Sequence, residues 1–138
     1  AILTRIVIWY MIHMKSERGK RTVAENTISS DLIRGHIDAI ILRLLADSDS
    51  YGYEIMKEVA ARSGGLYELK EPSLYTSLRR LEAAKLIASY WGDESLGGRR
   101  KYYRITETGR QVCRRSLEEW KTARLVIDRL LDGGETDE

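Results

Sequence analysis

The chain has 138 residues, 43% of them hydrophobic and 32% charged, with a single proline. That is too apolar for a disordered tail and large enough for one core with an appendage, since single domains commonly run to about 100–150 residues. One cysteine, Cys113, excludes an intrachain disulfide and a thiolate-built zinc centre and fits a reducing cytoplasm; His13 and His36 stand far apart in no ligand spacing, so neither a metal nor another cofactor is expected.

Residues 1–14, AILTRIVIWYMIHM, are apolar but shorter than the about 20 residues a membrane span needs, and they contain Arg5. The charged KSERGKR follows instead of a small-residue cleavage site, so neither a membrane anchor nor a signal peptide is expected. His13-Met14 is a dipeptide that cloning junctions leave behind, which would make Met14 the natural start and residues 1–13 foreign; the alternative is a native segment whose β-branched run pairs as a strand or packs on a partner subunit. The remainder of an N-terminal extension, 1–30, reads as a polar, basic arm.

From Asp31 onward Leu32, Ile33, His36, Ile37, Ile40, Ile41, Leu44 and Leu45 recur at three- and four-residue spacing behind the capping candidates Ser29, Ser30 and Asp31. This predicts a first helix, broken by Asp47-Ser48-Asp49-Ser50. Ile55, Met56 and Val59 mark a second helix over about residues 53–62, closed by Gly64-Gly65. Glu71-Pro72 announces a third helix to about Ala84, with Leu74, Leu78 and Leu81 as its buried stripe. The β-prone runs 86–91 and 99–105 predict a hairpin with a flexible tip at residues 92–98. Thr106 is placed to cap a last helix carrying Val112, Leu117, Trp120, Ala123, Ile127, Leu130 and Leu131. At about 1.5 Å per residue it would outrun so small a domain, and its apolar stripe needs a partner. Residues 106–132 are therefore expected to be a dimerisation helix and 133–138 a flexible tail.

Three helices and a hairpin, in that order, make a winged helix-turn-helix, so the expected fold is mainly α with a small β-hairpin, and the expected DNA-binding domain is 31–105. Charge agrees: the net +2 divides into +3 over residues 1–30, −3 over 31–69, +4 over 70–105 and −2 over 106–138. A basic middle in a balanced chain suits a phosphate-binding surface, because Lys and Arg that neutralise phosphates release condensed counterions. The B-DNA major groove, about 12 Å wide, admits one helix while an adjacent hairpin reaches the backbone. In the third helix Ser73, Thr76 and Ser77 are short donors and acceptors, and Lys70, Arg79 and Arg80 can hold phosphates. Tyr75 adds a ring and a hydroxyl, with a place in the core as the equal alternative. Arg99, Arg100 and Lys101 offer their cations just past Gly97-Gly98, opposed by Asp93 and Glu94 unless those acids pair with the arginines.

The stretches YGYEI, EPSLYTSLRRLEAAKLI and SYWGDESLGGRRKYYRITETGR together resemble the PadR family of transcriptional regulators, over about residues 32–131. The hairpin looks especially like that of a short-tailed, subfamily 2 member that is a multidrug-responsive repressor. The resemblance implies a homodimer in which the C-terminal helix packs on the first helix of the other subunit. It also implies a third helix in the major groove of palindromic operator DNA, with the hairpin on its backbone. In the similar protein a tryptophan matching Trp120 faces its symmetry mate, and flat aromatic drugs stack between the two rings. Leu117, Leu32, Ala39 and Arg43 match other positions of that pore. This chain departs in having Arg124 where the relative has a carboxylate and Arg43 where it has an amide, so two cations per subunit are expected to favour a neutral or anionic effector. For Trp120 the alternative is an ordinary place in a dimer core.

Catalysis finds no support. Gly64-Gly65 and Gly97-Gly98 lack the context of a phosphate loop, Cys113 has no neighbouring base, and Asp93-Glu94 and Glu118-Glu119 are adjacent, so their side chains diverge. The rival is a winged-helix protein-interaction module without specific DNA binding. RNA recognition is weaker still, because the aromatics form no stacking platform.

Overall fold

The computed structural model describes residues 28–92 and 99–133. The expected cloning junction, basic arm, hairpin tip with Asp93, Glu94 and Gly97-Gly98, and C-terminal tail fall outside the described residues. The elements are α1 (Ser30–Ile33), a 3-10 turn (Arg34–His36), α2 (Ile37–Asp47), β1 (Ser50–Tyr51), α3 (Gly52–Arg62), α4 (Glu71–Ala83), β2 (Ile87–Trp91), β3 (Lys101–Ile105) and α5 (Glu107–Asp132). The fold is mainly helical, as the hydrophobic periodicities imply, and the expected hairpin is part of a three-stranded antiparallel sheet ordered β1-β3-β2.

The first helix is not continuous. Ser29 caps it, its hydroxyl accepting from the Asp31 N–H at 3.2 Å, but the backbone tightens at Arg34-Gly35-His36 before α2 resumes. Glycine is among the poorest helix formers, and Gly35 sits at the middle of this 3-10 turn. β1 was not legible either, being two residues inside a segment that reads as a helix breaker. It pairs Ser50 with Tyr103 and Tyr51 with Tyr102, which ties the entry of α3 to the hairpin.

The core is one cluster. Ile41, Leu42 and Leu45 of α2, Ile55 of α3, Leu74 and Leu78 of α4 and Ile87 of β2 are essentially inaccessible, and Tyr103 and Ile105 close it from the sheet. Each such aliphatic side chain contributes about 1.5–3 kcal/mol by leaving water.

α4 ends where Lys85 takes a left-handed backbone (φ 63°), which lets the Leu86 N–H reach the Leu81 carbonyl at 3.0 Å. That segment anchors α5. The Thr106 hydroxyl donates to the Lys85 and Leu86 carbonyls (2.9 and 3.0 Å) and accepts from the Gly109 N–H at 3.0 Å, forming the expected cap. Only the first part of α5, through Val112 and Cys113, packs on the core. Farther along, Leu125, Val126, Ile127, Leu130 and Leu131 are all exposed.

Candidate nucleic-acid interface

α4 follows Lys70, whose backbone is extended, and takes Pro72 into its first turn. Leu74, Ser77, Leu78 and Leu81 form its buried stripe, while Ser73, Tyr75, Thr76, Arg79 and Arg80 are exposed. Lys70, Ser73, Thr76 and Arg79 thus share the open side of the helix, as their residue types suggested.

Ser77 is turned inward, and Arg80, though exposed, is engaged by another element. Ser77 is 2% exposed, and its hydroxyl meets Asp38 of α2 and accepts from Arg80 Nη2 at 3.2 Å. Arg80 grips the same carboxylate with a forked pair, Nε to Oδ2 at 2.8 Å and Nη2 to Oδ1 at 2.7 Å. Helical spacing explains the serine: positions 74, 77, 78 and 81 share one face, so Ser77 turns inward despite its polarity. The arginine's partner lies 42 residues earlier and leaves no local trace. Burial raises the Asp38 carboxyl, but the hydrogen bonds from Arg80 and Ser77 and the arginine's charge outweigh it and hold the group below the usual carboxylate value.

The hairpin residues Arg99, Arg100 and Lys101 are exposed. Each cation lies over an aromatic ring: Arg99 over Trp91 at 5.2 Å, Arg100 over Tyr51 at 4.7 Å and Lys101 over Tyr103 at 5.8 Å. Such contacts restrain long side chains without neutralising their charge. The Gly92 N–H donates to the Arg100 carbonyl at 2.7 Å and closes the base of the tip. A side chain at Gly92 would run into the Tyr102 ring, with 2.4 Å between a Cβ and the nearest ring carbon.

Tyr75 does not take its alternative place in the core. It is 36% exposed, and it lies so close to Gly52 that a Cβ there would come within 2.3 Å of the tyrosine Oη. In this position it lines one cleft with Arg100 and Lys101 of the hairpin and with Tyr51, Gly52 and Tyr53 at the start of α3. The YGY sequence was visible; what hid its contribution is that three separate elements build the cleft.

A second concavity of about 530 Å³ lies between the α1–α2 segment and α5. Leu32, Ala39, Arg43, Leu117 and Trp120 line it together, whereas Arg124, exposed one turn on, does not. His36 and Glu119 also line it, and neither was singled out from sequence. The His36 ring meets Trp120 edge-on, with centroids 5.0 Å apart and planes at 71°. Arg43 is already paired: its Nη1 lies 2.6 Å from Asp47 Oδ1, while Asp47 Oδ2 takes Arg62 at 2.9 Å. The hydrogen bonds from Arg43 and Arg62 hold the Asp47 carboxyl below its usual value.

A helix-turn-helix formed by α3 and α4, a β2–β3 wing beside it and a long terminal helix define a winged helix-turn-helix regulator. Family comparison makes this specific. The model of the transcriptional regulator PadR-like family matches residues 41–115, and the chain belongs to that family. A solved transcriptional regulator from Clostridium thermocellum is 46% identical, covering 72% of this chain and 97% of its own, with a TM-score of 0.68. A PadR family transcription regulator from Clostridium difficile is 39% identical over 70% of this chain and 98% of its own, with a TM-score of 0.62. An uncharacterised protein from Lysinibacillus sphaericus is 44% identical over 106 residues, 77% of this chain and 97% of its own length. The chain is accordingly a DNA-binding regulator of transcription. Among the described residues no helix is long and apolar enough to cross a membrane.

Proposed function

We propose that this PadR-like regulator is a cytoplasmic homodimeric repressor, not an enzyme, that binds palindromic operator DNA and is released by a flat aromatic effector at the dimer interface. The observation that carries the DNA reading is the shared cleft: Arg100 and Lys101 of the wing stand beside Tyr75 of α4, on the protein's exposed surface. Wing cations and reader helix can therefore meet the same duplex, Arg99, Arg100, Lys101, Lys70 and Arg79 holding phosphates and Ser73 and Thr76 reaching base edges. A second copy of the chain is supported by α5, whose outer half exposes Leu125, Val126, Ile127, Leu130 and Leu131, apolar side chains that a partner would cover.

The effector reading rests on the groove where Trp120 meets His36, and on the short-tailed, multidrug-responsive relative that the hairpin resembles. The expected bias against cationic effectors is not retained. Arg124 stands outside the groove of the single chain, Arg43 is paired with Asp47, and Glu119 adds a carboxylate to the wall. Cationic and anionic aromatic dyes are both expected to quench Trp120 fluorescence; absence of quenching by either class would return Trp120 to a purely structural place in a dimer core. Selection of bound duplexes from a random library tests the DNA reading. An inverted repeat with half-sites about 10 base pairs apart is expected, and no enrichment would favour a protein-interaction module.

A further inference from the structure

The cleft between the start of α3, the reader helix and the wing measures about 330 Å³, and no carboxylate is among its walls. Tyr51, Tyr53, Tyr75 and Tyr103 line it, with Arg100 and Lys101 supplying the charge. Tyr103 is only 5% exposed, yet its hydroxyl has no hydrogen-bond partner among the described residues, and neither do those of Tyr53 and Tyr75. Buried hydroxyls are nearly always satisfied, so the cleft is short of an acceptor at Tyr103, while the exposed hydroxyls of Tyr53 and Tyr75 are open to an incoming group. Glu82, whose charge is felt at Tyr103, accepts from the Ser89 hydroxyl at 2.6 Å. Burial first, then Glu82 and Tyr75, push the Tyr103 phenol above its ordinary value, so it keeps its proton and remains a donor. Gly52 leaves room for the Tyr75 hydroxyl at the cleft wall, since any side chain there would collide with it.

A surface of phenol donors and cations, without a carboxylate, suits a ligand that is all acceptors and negative. We propose that the cleft seats one phosphodiester group of the DNA backbone, taking hydrogen bonds from Tyr53 and Tyr75 over Tyr103 and charge from Arg100 and Lys101. This rests on the DNA-binding reading and extends the contact from reader and wing to Tyr53 in the first turn of α3. The seat fixes register on the duplex and reads no sequence, because a phosphate is the same at every step.

The test uses the full chain and a mixed-sequence duplex of about 30 base pairs, with binding followed by fluorescence anisotropy over a salt series. Tyr53→Phe/Tyr75→Phe is expected to lose about tenfold in affinity at every salt concentration. The slope of log K against log salt stays unchanged, because no charge is removed. Its melting temperature stays at the wild-type value, since neither hydroxyl has a partner to lose in the free chain. Gly52→Ala, which displaces the Tyr75 hydroxyl, is expected to weaken binding in the same slope-preserving way. Wild-type affinity in the double variant would overturn the seat and leave DNA binding intact. A loss accompanied by a shallower slope would overturn it too, by showing that the phenols act only through the cations. Failure of the wild-type chain to bind the duplex at low salt would overturn the DNA reading itself. Should the double variant melt early, Tyr75→Phe alone carries the same comparison.

Discussion

Gly109→Ala probes the joint on which the long helix depends. A Cβ at Gly109 would stand 2.1 Å from the Leu86 carbonyl oxygen, 3.1 Å from its carbon and 2.8 Å from Ile105 Cγ1. To reach even the 3.4 Å at which ordinary contact begins, the carbonyl must retreat by more than an ångström or α5 must lift. Neither is free to move. That carbonyl accepts from both the N–H and the hydroxyl of Thr106, each at 3.0 Å, so retreat breaks the cap that starts the helix. Overpacking of this kind costs about 1–3 kcal/mol and each lost hydrogen bond about 1 kcal/mol. Against this, alanine is better than glycine within a helix by at most about 1 kcal/mol. The balance is a destabilisation of about 1–3 kcal/mol, or a fall in Tm of roughly 4–15 °C. Urea and thermal unfolding followed by circular dichroism, at one fixed protein concentration because a dimer's stability varies with it, give the number. A variant as stable as the wild type would refute the seating of α5 on Leu86.

Three further outcomes follow from the polar contacts. Arg80→Gln is expected to leave the salt slope of DNA binding unchanged, because Arg80 is committed to Asp38, whereas Arg99→Gln lowers the slope by about one for each subunit bound; equal effects would put Arg80 back among the phosphate contacts. Asp38 is held below the ordinary carboxylate value, so the stability it confers is full above that ordinary value and lost as pH falls through the lower folded one. Urea midpoints measured from about pH 6 down to pH 2 should fall less steeply for Asp38→Asn, and parallel curves would dismiss the pair's role. Lys85→Gly is expected to stabilise by about 0.5–1 kcal/mol, since glycine adopts the left-handed backbone (φ 63°) without strain; a loss in urea midpoint would contradict it.

Most of the architecture was legible because it is periodic. The stripe of Leu74, Leu78 and Leu81, the Thr106 cap and the hairpin runs each declare themselves within a few residues, and all stand where their pattern puts them. What escaped were features made by distant parts of the chain or too short to have a period. Gly35 breaks a helix whose hydrophobic repeat runs straight through it. β1 has only two residues. Ser77 looked like a reader by composition and is a core position by phase, and Arg80 could be removed from the reader surface only by seeing Asp38 beside it. The groove divides in the same way: Leu32, Ala39, Arg43, Leu117 and Trp120 came from family resemblance, while His36 and Glu119 required the helices to be packed.

The most direct measurement compares the salt dependence of duplex binding for the wild type and for Arg99→Gln/Arg100→Gln/Lys101→Gln. Two wings on one duplex bring up to about six phosphate contacts, so the triple variant's log–log slope should be shallower by about 3–5. An unchanged slope, with the wild type binding tightly, would contradict the claim that wing and reader helix form one DNA-binding surface.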